Sequence, residues 1–200
     1  DPNLPPMMKA RVLHEVTRNY WYFIRNVVRI PHSGNAKGVM YELNRGNLAM
    51  GFLFMLNMNM YVELPRQCGK TVGAACWYLW CFNFATSNSQ IMFMHKAHSG
   101  SKDNLKTLKD IRALLPSYLQ MDGSLSSEGR KLKIPDTVTE IGHYKNGNRI
   151  VPFPSARSAD AADKLGRGKT MPLEFFDEFA FMPFNAIVYN AAIEDRKSVV

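Results

Sequence analysis

Short apolar runs alternate along this chain with stretches of helical periodicity, and that alternation leaves few architectures open. Residues 60–64 (Met-Tyr-Val-Glu-Leu), 90–95 (Gln-Ile-Met-Phe-Met-His) and 172–176 (Pro-Leu-Glu-Phe-Phe) read as buried strands. Helices are expected over 71–84, over 101–115 with Ser101 at the start and Pro116 as the stop, over 158–165 and over 185–194. Strands connected through helices pair in parallel, so an α/β fold with a mostly parallel sheet flanked by helices follows. Residues 137–143 and 149–153 flank Asn146-Gly147, a strong turn signal, which predicts an added β-hairpin.

Upstream, the pattern predicts a helix over 8–28, turn chemistry over 31–38 and a second helix over 41–56 that ends near Asn57. Residues 1–40 thus form a helical lead-in, and 41–200 the core. Residues 197–200 look like the start of another strand, so the core is expected to be cut short at its C-terminus.

The chain has 200 residues, 46% hydrophobic and 21% charged, a composition that suits a globular fold. Lys and Arg total 25 against 17 acidic residues, a formal net charge of +8 that suits a phosphate-rich partner. The three cysteines, Cys68, Cys76 and Cys81, make a poor disulfide framework and point to a reducing compartment. The apolar segment 48–62 is too short for a bilayer and contains Asn57 and Asn59, so no membrane span is expected.

Chemistry is concentrated at two places. Between the strand expected at 60–64 and the helix expected from 71 lies Leu64-Pro65-Arg66-Gln67-Cys68-Gly69-Lys70-Thr71. Such a strand–loop–helix can hold a nucleoside triphosphate. Gly69 lets backbone N–H groups turn toward phosphate oxygens, and Lys70 can reach the β and γ phosphates. Thr71 offers a hydroxyl to Mg²⁺, and the following helix directs its positive end at the same anion. The first glycine usual in such loops is replaced by Leu64, while Arg66 adds a second cation. The other place is Phe176-Asp177-Glu178, where an apolar strand ends in two carboxylates. There Asp177 is suited to Mg²⁺ and Glu178 to activating a water.

Taken together, these residues resemble the ATPase domain of the tailed-bacteriophage DNA-packaging terminase large subunit. The resemblance runs from about residue 20 onward and rests on four stretches: Arg66 to Thr71, with an arginine inside a glycine-poor loop; Tyr41 to Arg45; Met94-His95-Lys96, followed by a helix ending Leu114-Leu115-Pro116; and Phe176 to Phe181.

The resemblance implies a P-loop NTPase of the RecA-like (ASCE) type. ATP would be held by Arg66, Gln67, Cys68, Gly69, Lys70 and Thr71, and Asn44 stands where the family places an adenine-contacting residue. Mg²⁺ would be held by Thr71 and Asp177. Glu178 would be the catalytic base, with Arg66 or Arg167 (of Gly166-Arg167-Gly168) supplying the arginine that completes the site. Arg167 reads equally as a solvated loop cation or a DNA contact.

The function implied is ATP hydrolysis coupled to packaging of double-stranded DNA into a procapsid, in the host cytoplasm. Its partners would be a portal protein, a small terminase subunit and other copies in a homo-oligomeric ring, expected to be a pentamer. No coupling motif or nuclease domain is included, so DNA cleavage is not assigned.

Two alternatives stay open. A helicase-like P-loop translocase would carry further motifs and a second recombinase-like domain. A nucleotide-dependent DNA-binding or assembly module would bind nucleotide without turnover. His95 and His98 lack further well-placed ligands for zinc. Lys102, Lys106 and Lys109 share a helix face that could meet phosphates, although Asp103 and Asp110 sit beside them.

Overall fold

The computed structural model describes residues 3–65, 67–120, 136–143, 145–153, 155–165 and 171–196. In chain order the elements are α1 (Pro6–Arg18), α2 (Tyr20–Asn26), β1 (Arg29–His32), β2 (Asn35–Met40), α3 (Arg45–Met55), α4 (Lys70–Trp80), β3 (Gln90–His95), α5 (His98–Ala113), α6 (Ser117–Gln120), β4 (Asp136–Thr137), β5 (Glu140–Gly142), β6 (Arg149–Phe153), α7 (Ala159–Lys164), β7 (Leu173–Asp177) and α8 (Asn185–Arg196). A π-turn over Cys81–Ala85 extends α4, and a 3₁₀ turn over Phe179–Phe181 follows β7. The chain divides into two compact units: Asp1–Thr86 with Thr107–Leu132, and Ser87–Lys106 with Lys133–Val200.

The first unit is built on α4. Every residue from Gly73 to Trp80 is buried, which marks a helix surrounded on all sides. Tyr20 meets Trp77 edge-on at 4.9 Å, and Phe54 stacks on Trp77 at 5.2 Å. The Trp80 indole donates to the Val16 carbonyl at 2.7 Å, so even the polar end of this cluster is satisfied. Cys76 and Cys81 are buried here, and burial pushes both thiols well above the ordinary thiol range, so neither is reactive.

Three expectations for this unit need correction. The single helix over 8–28 is two helices, because Asn19 adopts an extended backbone and its side chain accepts from Tyr22 N at 3.0 Å. Asparagine is a strong N-cap, and its capping bond starts α2 afresh. The turn chemistry over 31–38 is an antiparallel hairpin, β1 with β2, joined through Ser33-Gly34. Gly38 lies at φ +64°, and a Cβ there would come within 2.7 Å of the Ile30 carbonyl, so only glycine lets β2 pass so close.

The largest difference is at residues 60–64, which form no strand. Asn57 turns left-handed (φ 52°) to end α3, and Tyr61 is 70% exposed beyond it. An apolar composition does not make a strand without a neighbour to bond to. These residues belong to the first unit, whereas the five-stranded sheet belongs to the second.

That sheet has the order β4-β5-β6-β3-β7. The run β6-β3-β7 is parallel, and β4-β5-β6 is antiparallel. The fold is therefore mixed α/β with a mixed sheet. The predicted hairpin exists, but it is not an appendage: β6 is at once its second strand and the parallel neighbour of β3. The central strand β3 is buried from Ile91 to Met94, as a strand covered on both faces must be. Met92 and Met94 join Ala156, Ala162, Met171, Met182 and Val188 in one core cluster, against which Phe153 and Phe176 pack. Ser158 caps α7 through Ala161 N at 3.2 Å. Among the described residues no helix is long and apolar enough to cross a membrane. The strand expected at 197–200 lies outside the described residues.

Candidate functional site

The loop before α4 has the backbone that an anion site requires. Gln67 (φ 64°) and Gly69 (φ 70°) are both left-handed, and Gly69 is the N-cap of α4. Left-handed residues alternating with others turn successive N–H groups toward one side. Lys70 and Thr71 occupy the first turn of α4, where the helix dipole favours negative charge. No acidic residue lies in that turn to compete.

The loop is tied to the start of α3. The Asn44 amide donates to the Cys68 carbonyl at 2.9 Å, and its oxygen accepts from Asn47 N at 2.8 Å as the N-cap of α3. Asn47 also donates to the Cys68 carbonyl, at 3.4 Å. Asn44 thus has both ends of its amide engaged within the chain. Nearby, Tyr41 is buried, and that burial raises its phenol well above the ordinary range.

The second unit holds the acidic strand end. Asp177 closes β7, is 8% exposed and pairs in register with His95 on β3. Its Oδ2 accepts from the Asn104 amide at 3.3 Å. Glu178 lies one residue beyond the strand in a left-handed conformation, φ 55° and ψ 37°. That geometry costs a non-glycine residue about 1–2 kcal/mol. Its Oε2 lies 2.7 Å from Lys96 Nζ and 3.3 Å from His95 Nε2.

His95 Nδ1 is 3.1 Å from Ala97 N and 3.2 Å from Ala97 O. Its other ring nitrogen, Nε2, faces Glu178. Gly100 on α5 packs directly on this ring, and a Cβ there would collide with it. The cation of Lys96 also sits 5.2 Å above the Phe181 ring.

Of the residues singled out from sequence, Asn44, Gln67, Cys68, Gly69, Lys70 and Thr71 come together in the first unit. Asp177 and Glu178 come together in the second. Arg66 and Arg167 lie outside the described residues. Sequence reasoning missed Asn47 and Tyr41 beside the loop, and it missed His95 and Lys96 as partners of Glu178. The signals for the latter pair were their place at the end of a predicted strand and in one of the four stretches that carry the resemblance, neither of which paired them with Glu178.

Among the described residues no three His, Cys, Asp or Glu side chains converge on a common point. Mg²⁺ needs no such cage, since it takes one or two protein ligands alongside waters and phosphate oxygens. An open apolar slot of about 460 Å³ in the first unit is lined by Trp21, Arg25, Leu48 and Phe52 and carries no acid or nucleophile. No family model matches the sequence, and no curated protein shows significant similarity to it.

Proposed function

We propose that the chain is a P-loop ATPase of the terminase large-subunit type, hydrolysing ATP to drive double-stranded DNA into a procapsid. The observation that carries this reading is the loop itself: a left-handed Gln67 and Gly69 opening α4, with Lys70 and Thr71 in its first turn. In this reading Lys70 neutralises the β and γ phosphates, and the N–H groups of the loop hold their oxygens. Thr71 would offer its hydroxyl to Mg²⁺, which would neutralise charge that develops on the phosphates, and Asp177 is a carboxylate suited to the same kind of ion. Glu178 orients and deprotonates water, and its left-handed backbone is the kind of strain that concentrates at working residues. Arg66 or Arg167 supplies the arginine. The net charge of +8 supports a DNA partner. A portal protein, a small terminase subunit and a ring of identical copies complete the proposed machine.

One observation favours the rival reading of a module that binds nucleotide without turning it over. Glu178 is held by Lys96 at 2.7 Å, and a carboxylate so engaged is a poor base. Binding of Mg-ATP and release of phosphate, measured on the same chain with and without double-stranded DNA, decide between the two. The motor reading predicts both binding and release, with DNA raising the rate. Binding with no release in either condition favours the module.

A further inference from the structure

Two side chains grip the Cys68 carbonyl, Asn44 at 2.9 Å and Asn47 at 3.4 Å. A trans peptide points its N–H opposite to its C=O. Fixing the Cys68 oxygen against the start of α3 therefore turns the Gly69 N–H away from α3, to the side where an anion can be met. Left free to rotate, the same carbonyl could face that side and repel a phosphate.

The second asparagine is less settled. Its bond to Cys68 is long, and among the described residues its Oδ1 has no hydrogen-bond partner although the residue is only 4% exposed. The Tyr41 hydroxyl is likewise buried with no hydrogen-bond partner among the described residues. Both border the same two glycines. A Cβ on Gly73 would lie 3.1 Å from Asn47 Oδ1 and 3.4 Å from the Tyr41 hydroxyl, and one on Gly69 would lie 3.3 Å from Asn47 Nδ2. Buried polar atoms without partners lower stability. A pair of them kept together behind a candidate binding loop marks a place where stability yields to function.

We infer that Tyr41, Asn44 and Asn47 form a bracket that sets the phosphate loop for nucleotide, with Asn44 as its fixed anchor and Asn47 and Tyr41 as adjustable groups that find partners when the loop closes on phosphate. The inference rests on the phosphate-loop reading above and makes these three residues positioning residues, none of which touches the reacting atoms. Asn44 therefore acts on the loop rather than on a base.

The test is an equilibrium titration of the 200-residue chain with a fluorescent Mg-ATP analogue, alongside thermal melting, for the wild type, Asn44→Asp, Asn47→Ala, Tyr41→Phe and Lys70→Ala. Asn44→Asp keeps the oxygen that caps α3 but has no donor for Cys68. Asn47→Ala and Tyr41→Phe remove the unpartnered atoms and add no charge, and Asn47→Ala also gives up its 3.4 Å bond to Cys68. The expected result is affinity weakened about tenfold by Asn44→Asp and severalfold by Asn47→Ala and Tyr41→Phe, with the melting temperatures of Asn47→Ala and Tyr41→Phe equal to or above wild type.

Wild-type affinity in all three, while Lys70→Ala still abolishes binding, overturns the bracket and leaves the phosphate loop standing. Weakening by Asn44→Asp alone shows charge repulsion and overturns the bracket as well. A melting temperature that falls in step with affinity reduces the residues to structural ones, and the bracket falls with it. Binding that is absent from the intact chain, or indifferent to Lys70→Ala, overturns the loop reading beneath it.

Discussion

Glu178→Gln leaves Mg-ATP binding at its wild-type affinity and lowers phosphate release by about 10²–10⁴-fold, the usual contribution of a general base. Glutamine keeps the shape of the side chain and can still meet Lys96, now 2.7 Å from the carboxylate, but it cannot take a proton from water. Binding persists because the residues proposed to hold phosphate lie on the loop before α4 and are untouched. The two assays used together, titration and steady-state phosphate release, make the assignment specific. A glutamine variant that turns over at the wild-type rate removes Glu178 from the chemistry, and one that also loses binding shows that it serves the fold.

Lys70→Ala removes the one described cation in the first turn of α4. Charge-assisted hydrogen bonds contribute about 1.5–3 kcal/mol each, so losing the contacts of one ammonium with two phosphates costs about 3 kcal/mol or more. That is a weakening of over about a hundredfold. Calorimetric titration with Mg-ATP reads it directly. Folding is expected to be unaffected, because Lys70 is only half-buried and begins the helix, so the melting temperature of the variant stays at the wild-type value. Undiminished binding in Lys70→Ala places the nucleotide, if any, elsewhere.

What could be read from sequence followed the strength of local signals. The strand at 90–95 was legible to the residue, because its apolar run falls between a turn cluster and a helix, although that helix starts at His98 rather than at Ser101. Asn146-Gly147 announced its hairpin through the left-handed backbone that Gly147 adopts at φ 70°. The break at Asn19 was hidden because the apolar periodicity continues across it, and one capping bond decides the matter. Residues 60–64 carried a strand's composition but no ladder partner, and a partner is a tertiary fact that composition does not encode.

The candidate site divided in the same way. Gly69, Lys70 and Thr71 were legible because their chemistry is local. The contacts that hold Cys68 are 21 and 24 residues away in sequence, and those of Glu178 are 82 and 83 residues away, so Asn47, His95 and Lys96 became visible only in three dimensions.

The central claim is that the backbone of 67–72 receives a nucleotide's phosphates, and amide hydrogen exchange across that segment tests it most directly. With saturating Mg-ATP, the amides from Cys68 to Val72 are predicted to exchange more slowly than in the free chain, as N–H groups drawn to phosphate must, while the turn at Asn146-Gly147 stays as it was. Exchange across 68–72 that does not change when nucleotide is present, or slowing found only in other segments, would contradict the account.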